Sequence, residues 1–337
     1  MFIDLRSGCP QSYPQINQHT TSLNQSTPII VKVVVDRPLA EAFDYLWDKE
    51  TLRTIPRVGM LVEVPFGRTN LPGIVVEVTT HSHLNESKLK KVLQIAPLNP
   101  IDSRLMELAY FASQYYLHGL GETILSAIPK WWRTASNWNK SLDYLNLKTK
   151  DATESKAKEK KLSLEELNGD QRQAIQILNG HQQGTFNTFL LNGVTGSGKT
   201  AVYLTFIETL LNQDPAAQVL IMLPEINLTP QLQRRIQEHF PEEALAVLHS
   251  GLTDKQRAIA WYRAMTGFAR IVLGTRLSIM TPLPKLAAIV VDEENDSSFK
   301  QQEGMAYSAR DLAVWRAKNE GLPIILVSAT PRKPGRQ

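Results

Sequence analysis

The feature that most constrains this chain is the run Gly193-Val194-Thr195-Gly196-Ser197-Gly198-Lys199-Thr200, which fits the pattern G-x-x-x-x-G-K-[ST]. It follows an apolar run, Thr188 to Leu191, and opens an amphipathic segment, Ala201 to Leu211. Strand, glycine-rich loop and helix in that order make a phosphate cradle. The glycines let backbone N–H groups close around phosphate oxygens, and the helix N-terminus adds a favourable dipole. Gly193, Thr195, Gly196, Ser197 and Gly198 are therefore expected to line the phosphates of a nucleoside triphosphate. Lys199 is expected to reach the β- and γ-phosphates, and the Thr200 hydroxyl to ligate Mg²⁺.

A phosphate cradle needs a carboxylate opposite it to hold the metal. Ile289-Val290-Val291-Asp292-Glu293 supplies one where an apolar strand ends and the ligand crevice of an α/β sheet opens. Asp292 is expected in the metal shell, and Glu293 as the base that orients water toward the γ-phosphate. Two acids after a strand also suit a loop start or a helix cap. Ser328-Ala329-Thr330 follows the run Ile324 to Val327 and is open to two readings, a link to a moving second domain or the cap of a turn.

The remaining apolar runs of this half are Val219 to Leu223, Ala244 to Leu248, Arg270 to Leu273 and Ala287 to Val291, with Pro230 to Phe240 amphipathic between them. Continuous apolar runs of this kind are expected to be buried on both faces, which implies a parallel, doubly wound α/β sheet over residues 168–337. The preceding half has a different texture. Ile29 to Val35, Phe43 to Trp47, Met60 to Phe66, Gly73 to Val78 and Val92 to Ile95 are short β-branched or aromatic runs, and they predict a small barrel or compact sheet. A helix carrying Leu105, Leu108, Ala109, Ala112 and Tyr116 on one face follows, started by Asp102 or Ser103. A second, Leu120 to Ile128, is closed by Pro129.

Residues 1–28 are rich in Gln, Ser, Thr, Asn and Pro and are expected to form a disordered leader. Residues 133–167 lose periodicity and gain lysine at Lys156, Lys158, Lys160 and Lys161, which suits a solvated linker or an arm that touches nucleic acid. With 42% hydrophobic and 21% charged residues among 337, the chain has globular composition, and collagenous or disordered classes are excluded. Cys9 is the lone cysteine, so no internal disulfide forms and zinc is not expected in this chain. No apolar run is long enough to span a membrane, and a cytoplasmic setting is expected. A net charge of +4 permits a polyanionic partner without requiring one.

Taken together, the phosphate loop, Asp292-Glu293-Glu294 and Ser328-Ala329-Thr330 resemble the first motor lobe of a superfamily 2 helicase. Finer motifs narrow the resemblance to the primosomal replication-restart helicases: Leu223 to Gln231, His249-Ser250-Gly251-Leu252, Gly274-Thr275-Arg276, Ser297 to Gly304 and Tyr307-Ser308-Ala309-Arg310-Asp311. Arg37-Pro38-Leu39, Phe43-Asp44-Tyr45-Leu46 and Val64-Pro65-Phe66-Gly67-Arg68 resemble that family's N-terminal domain. The resemblance implies a RecA-like motor lobe over residues 168–337, preceded at 29–132 by a β-barrel-like domain that binds the 3′ end of a nascent strand. It implies ATP and Mg²⁺ as cofactors, with branched, forked and single-stranded DNA as partners beside other primosome proteins and single-stranded DNA-binding protein. It places Gln171 at the adenine, Asp44 at the terminal nucleotide, and Thr229, Gln231, Thr275 and Arg276 along the single-stranded DNA track.

The chain departs from the family pattern inside the motifs. Ala201 stands where glutamate is usual, Asn295 where histidine is usual, and Leu277-Ser278-Ile279-Met280 replaces Ser-Ala-Leu-Phe. Met305 and Ala306 replace an aromatic residue and an arginine ahead of Tyr307, a change expected to cost a DNA-sensing loop roughly 1–3 kcal/mol of base stacking. The winged-helix module is expected to be reduced or absent. The second motor lobe with its arginine finger, and the cysteine-rich zinc module, are expected to be missing from these 337 residues. Since such a finger is worth about 10³–10⁵ in rate, nucleotide binding is expected to be stronger than hydrolysis, and a non-catalytic fork-binding remnant is the alternative reading.

Overall fold

The computed structural model describes residues 28–39, 41–140, 167–182, 184–224, 230–240, 245–302 and 304–329. The expected leader, apart from Pro28, lies outside these residues, as does the lysine-rich stretch.

The first half builds a six-stranded sheet from β1 (Ile29–Val35), β2 (Phe43–Trp47), β3 (Leu61–Phe66), β4 (Thr69–Thr79), β5 (Lys90–Lys91) and β6 (Gln94–Ile95), in the order β5-β2-β1-β4-β3-β6. The run expected as one strand, Val92 to Ile95, is in fact the closing piece of a barrel. β5 lies parallel to β2 and β6 antiparallel to β3. Between them Val92 N–H donates to Leu46 O at 3.1 Å and Leu93 N–H to Glu63 O at 2.9 Å. One segment thus bonds both edges of the sheet and curls it closed, which removes exposed edges. Alternation sorts the side chains: Val31, Val33, Val35, Tyr45, Trp47, Val62, Val64 and Val75 fill the interior, while Val34, Leu61 and Ile74 face the following helices.

A four-residue turn of helix, α1 (Lys49–Leu52), is capped by Asp48. The two expected helices follow as α2 (Ser103–Tyr115), with Asp102 accepting from Leu105 N–H at 3.1 Å, and α3 (Leu120–Ser126). Leu105, Leu108, Ala109 and Ala112 are buried, as the periodicity predicts. α3 lies so close to β1 that a methyl group at Gly121 would overlap the Val35 carbonyl.

The second half is a parallel sheet of β7 (Asn187–Asn192), β8 (Gln218–Met222), β9 (Leu245–Leu248), β10 (Ile271–Gly274), β11 (Leu286–Val291) and β12 (Pro323–Ser328), ordered β7-β12-β11-β8-β10-β9. Its helices are α4 (Gly169–Asn179), α5 (Lys199–Gln213), α6 (Pro230–His239), α7 (Asp254–Met265) and α8 (Ala309–Glu320). β8 is buried throughout, as expected of an inner strand. β7 is not: its residues alternate, and Leu190 is 55% exposed, because the strand lies at the sheet edge and is covered on one face only.

The two halves share one apolar core. Ile101, Leu105, Ile124 and Ile128 pack in the same cluster as Trp261 and Met280. Trp132 is fully buried and its indole N–H donates to Ala258 O at 3.1 Å. Phe111 stacks on Trp315 with ring centroids 4.5 Å apart, and an Arg104 Nη donates to Pro284 O at 2.7 Å. Packing continues past Trp132, since Trp138 is buried and donates to Trp132 O at 2.7 Å. Gly121→Ala is expected to wedge α3 off β1 and destabilise the chain by about 1–3 kcal/mol, read as a lowered denaturant midpoint.

Candidate functional site

The carboxyl ends of the parallel strands gather the predicted phosphate and metal residues at one edge of the sheet, where ligand crevices form in such folds. Gly193 N–H donates to Ser328 O at 3.2 Å, so the loop after β7 is pinned to the end of β12. Gly196 and Gly198 adopt φ of +80° and +83°, values that side chains with a Cβ rarely reach, and these turn the loop back on itself. Inside it the Lys199 ammonium donates to Gly193 O at 2.6 Å and Val194 O at 3.2 Å. The Ser197 hydroxyl is buried without a partner among the described residues, packed where a Cβ on Gly193 would fall. An orphan hydroxyl costs about 1–3 kcal/mol unless something bonds it, and a phosphate oxygen can.

Gln171 closes the loop from the other side. Its backbone N–H donates to the Asn168 side chain and its amide oxygen accepts from Asn168 N–H, both at 2.9 Å, which caps α4. Its amide nitrogen donates to Ser197 O at 2.8 Å. One amide hydrogen and one lone pair remain for a ligand.

Asp292 follows β11 and is half-buried. Burial raises its carboxyl above the ordinary range. The Glu293 N–H bond at 3.0 Å, the Tyr203 hydroxyl, which donates at 3.2 Å, and the charge of Lys199 pull the other way. Tyr203, on α5, is fully buried, and burial pushes its phenol up. Thr200 lies one helical turn before it and its hydroxyl approaches the same phenol. Tyr203 therefore stands between the two expected metal ligands, a role the sequence did not disclose because tyrosine at that spacing reads as core. Hydroxyl and carboxylate oxygens suit Mg²⁺, which needs only one or two protein ligands beside phosphates and water.

Glu293 sits at φ +48°, in the left-handed region, which costs a non-glycine residue about 1–2 kcal/mol. The bond from its N–H to Asp292 and that from Glu294 N–H to Val327 O at 2.9 Å hold the turn. Glu294 is buried and paired with Arg310 at 2.9 Å, so the third acid anchors α8 to the crevice. The sequence contained both motifs without revealing that they meet.

Of the expected DNA-track residues, Thr275 is 4% exposed and Arg276 is half-exposed, so of these two Arg276 offers a group to solvent. Gln231 falls in the first turn of α6, and Thr229 and Thr330 lie outside the described residues. Met305 and Tyr307 turn inward. Met305 sulfur accepts from the Thr123 hydroxyl at 3.4 Å, and Ser308 N–H donates to the Tyr116 hydroxyl at 3.2 Å. In the barrel, Asp44 is half-buried on β2 and accepts a 2.5 Å bond from the hydroxyl of Ser82, a residue the sequence did not single out.

Comparison with known proteins fits this geometry. Residues 168–336 match the DEAD/DEAH box helicase family. The chain belongs to that family. Ahead of this helicase domain, residues 32–129 match the 3′DNA-binding domain. The replication restart protein PriA of Haemophilus influenzae is 34% identical over 90% of this chain and 49% of its own length. That of Rickettsia felis is 35% identical over 90% of this chain and 43% of its own, and that of Synechocystis is 46% identical over 49% of this chain and 20% of its own. The chain thus spans about half the length, or less, of these relatives. This DEAD/DEAH box helicase carries a 3′DNA-binding domain before its motor lobe, as the replication-restart resemblance implies. Among its described residues no helix is long and apolar enough to cross a membrane.

The desolvated Asp292 gives the helicase lobe a pH signature. Its carboxyl is raised, so ionising it penalises the folded state. That penalty is absent below the ordinary carboxylate range and grows as pH rises through the raised value. Asp292→Asn is expected to raise the melting temperature of the ligand-free protein at neutral pH by about 1–3 °C, with the gain vanishing near about pH 4.

Proposed function

We propose that this chain binds ATP and Mg²⁺ in the crevice at the carboxyl edge of its parallel sheet and engages stalled-fork DNA through the barrel. In this reading it is the part of a replication-restart helicase that recognises a nascent 3′ end and holds the nucleotide for 3′-to-5′ unwinding and primosome assembly. One observation carries it: Tyr203, on the helix that the phosphate loop opens, donates its hydroxyl to Asp292 at 3.2 Å, which supports Thr200 and Asp292 acting on one ligand. When bound, the metal would neutralise the triphosphate and draw charge from the transferred phosphoryl group. Thr200 and Asp292 would hold it. The loop N–H groups and Lys199, released from the Gly193 and Val194 carbonyls, would bind the β- and γ-phosphates, and Gln171 would meet the adenine. Glu293, lifted by its left-handed backbone, would orient the attacking water.

The DNA side of the reading rests on two surfaces. Asp44 would accept a hydrogen bond from a free 3′-hydroxyl, which an internal nucleotide lacks. Arg276, with Thr229, Gln231 and Thr275 as the resemblance implies, would track a sugar-phosphate backbone without reading bases. Other primosome proteins and single-stranded DNA-binding protein would be recruited at the fork.

Lys199→Ala is expected to lower ATP affinity by about tenfold or more and to abolish any DNA-stimulated phosphate release. Fork binding that ignores both ATP and this substitution would instead favour a non-catalytic fork-binding role. Asp44→Ala is expected to weaken binding to forks with an unblocked 3′-hydroxyl about tenfold and to leave 3′-phosphate forks almost unchanged. Equal loss on both substrates would refute the assignment of Asp44.

A further inference from the structure

Asp44 is not a free surface acid. Ser82, on the loop after β4, reaches across 38 positions of sequence to place its hydroxyl 2.5 Å from Asp44 Oδ2. The proton on that contact is fixed by the other bond Ser82 makes. Its oxygen accepts from Leu84 N–H at 3.0 Å, so its own hydrogen is the one directed at Asp44. Asp44 Oδ1 has no protein donor among the described residues. Lys32, the residue opposite Asp44 in the β1–β2 register, is drawn to Glu77 on the other side at 3.0 Å. One carboxylate oxygen is therefore held by a donor, and the other has its lone pairs left to accept.

Orientation is what this bond adds. The terminal torsion of an aspartate is broad, so packing alone does not set the carboxylate plane. The strand that carries it is rigid: Phe43 meets Phe66 edge-on with centroids 5.2 Å apart, and the Tyr45 hydroxyl donates to Pro65 O at 3.2 Å. Ser82 supplies the remaining constraint. We propose that Ser82 is a specificity-determining positioning residue of the strand-end site, holding Asp44 Oδ2 so that Oδ1 is aimed at the hydroxyl of a terminal nucleotide. A carboxylate accepts hydrogen bonds and donates none, so the idle Oδ1 rewards a ligand that brings a hydrogen. This inference rests on the reading of Asp44 as the 3′-end residue.

The test compares the whole chain and its variants on two forks, one whose nascent strand ends in a 3′-hydroxyl and one ending in a 3′-deoxynucleotide, by fluorescence anisotropy. The ratio of the two affinities isolates the hydroxyl contact, which a purely structural role for Ser82 would not move. Ser82→Ala is expected to reduce the ratio by about three- to tenfold at unchanged affinity for the deoxy fork, and Ser82→Thr to keep it. Loss in both variants, or in neither, overturns the role of Ser82 while leaving Asp44 in place. A wild-type protein that binds both forks equally overturns the Asp44 reading itself, and the inference with it.

Discussion

The chemistry of this chain hangs on a row of backbone hydrogen bonds that continues past the ends of the parallel strands. Asp292 N–H donates to Met222 O at 2.9 Å, Leu223 N–H to Gly274 O at 2.9 Å, and Thr275 N–H to Leu248 O at 3.1 Å. Each bond prolongs the ladder by one residue past the end of its strand. The phosphate loop, the acidic turn and Arg276 are thereby positioned by the sheet. Parallel strands make this possible, because all their carboxyl ends face the same edge and their loops converge there.

The helix α8 ties that edge to the other half of the molecule. At its amino end Arg310 pairs with Glu294, beside the metal-shell candidate. At its carboxyl end Arg316 and Glu320 form a buried pair at 2.7 Å, and Arg104 of α2 approaches Glu320 at 3.6 Å. Trp315 stacks on Phe111 between them, and Asn319 donates to Glu107 at 2.8 Å. A single rigid helix therefore touches the acidic turn and the helices that back the barrel. Met305 and Tyr307 add to the same contact. Met305 packs against Thr123, so this loop docks on α3.

Most of the fold was legible because its signals are local. Apolar runs, caps such as Asp102 and the glycine-rich loop each declare themselves within a few residues, and strands such as Ile29–Val35 and Phe43–Trp47 fall where pattern puts them because propensity and burial agree there. What stayed hidden depends on partners far apart in the chain. Val92 and Leu93 look like one strand until Leu46 and Glu63 show that they close a barrel. Thr188 to Leu191 looks like an inner strand, and nothing in its own residues reveals that it forms an edge. Tyr203, Arg310 and Ser82 were unreadable for the same reason: their side chains matter through Asp292, Glu294 and Asp44, which lie 89, 16 and 38 positions away.

The residues around the phosphate loop carry costs that a bound ligand would offset. The free protein carries a desolvated carboxyl at Asp292, a left-handed Glu293 and a buried, unpartnered Ser197 hydroxyl, each unfavourable by itself. The bonds that Asp292 accepts from Glu293 N–H and the Tyr203 hydroxyl hold the acidic turn but leave its carboxyl desolvated. Sites that violate local rules without a structural gain are where function is expected to reside, since only a bound partner can reverse the cost. Phosphate oxygens would satisfy Ser197, and a divalent cation would turn the penalty at Asp292 into an attraction. The same reasoning bears on Asp44, a carboxylate held by one donor whose other oxygen has none among the described residues.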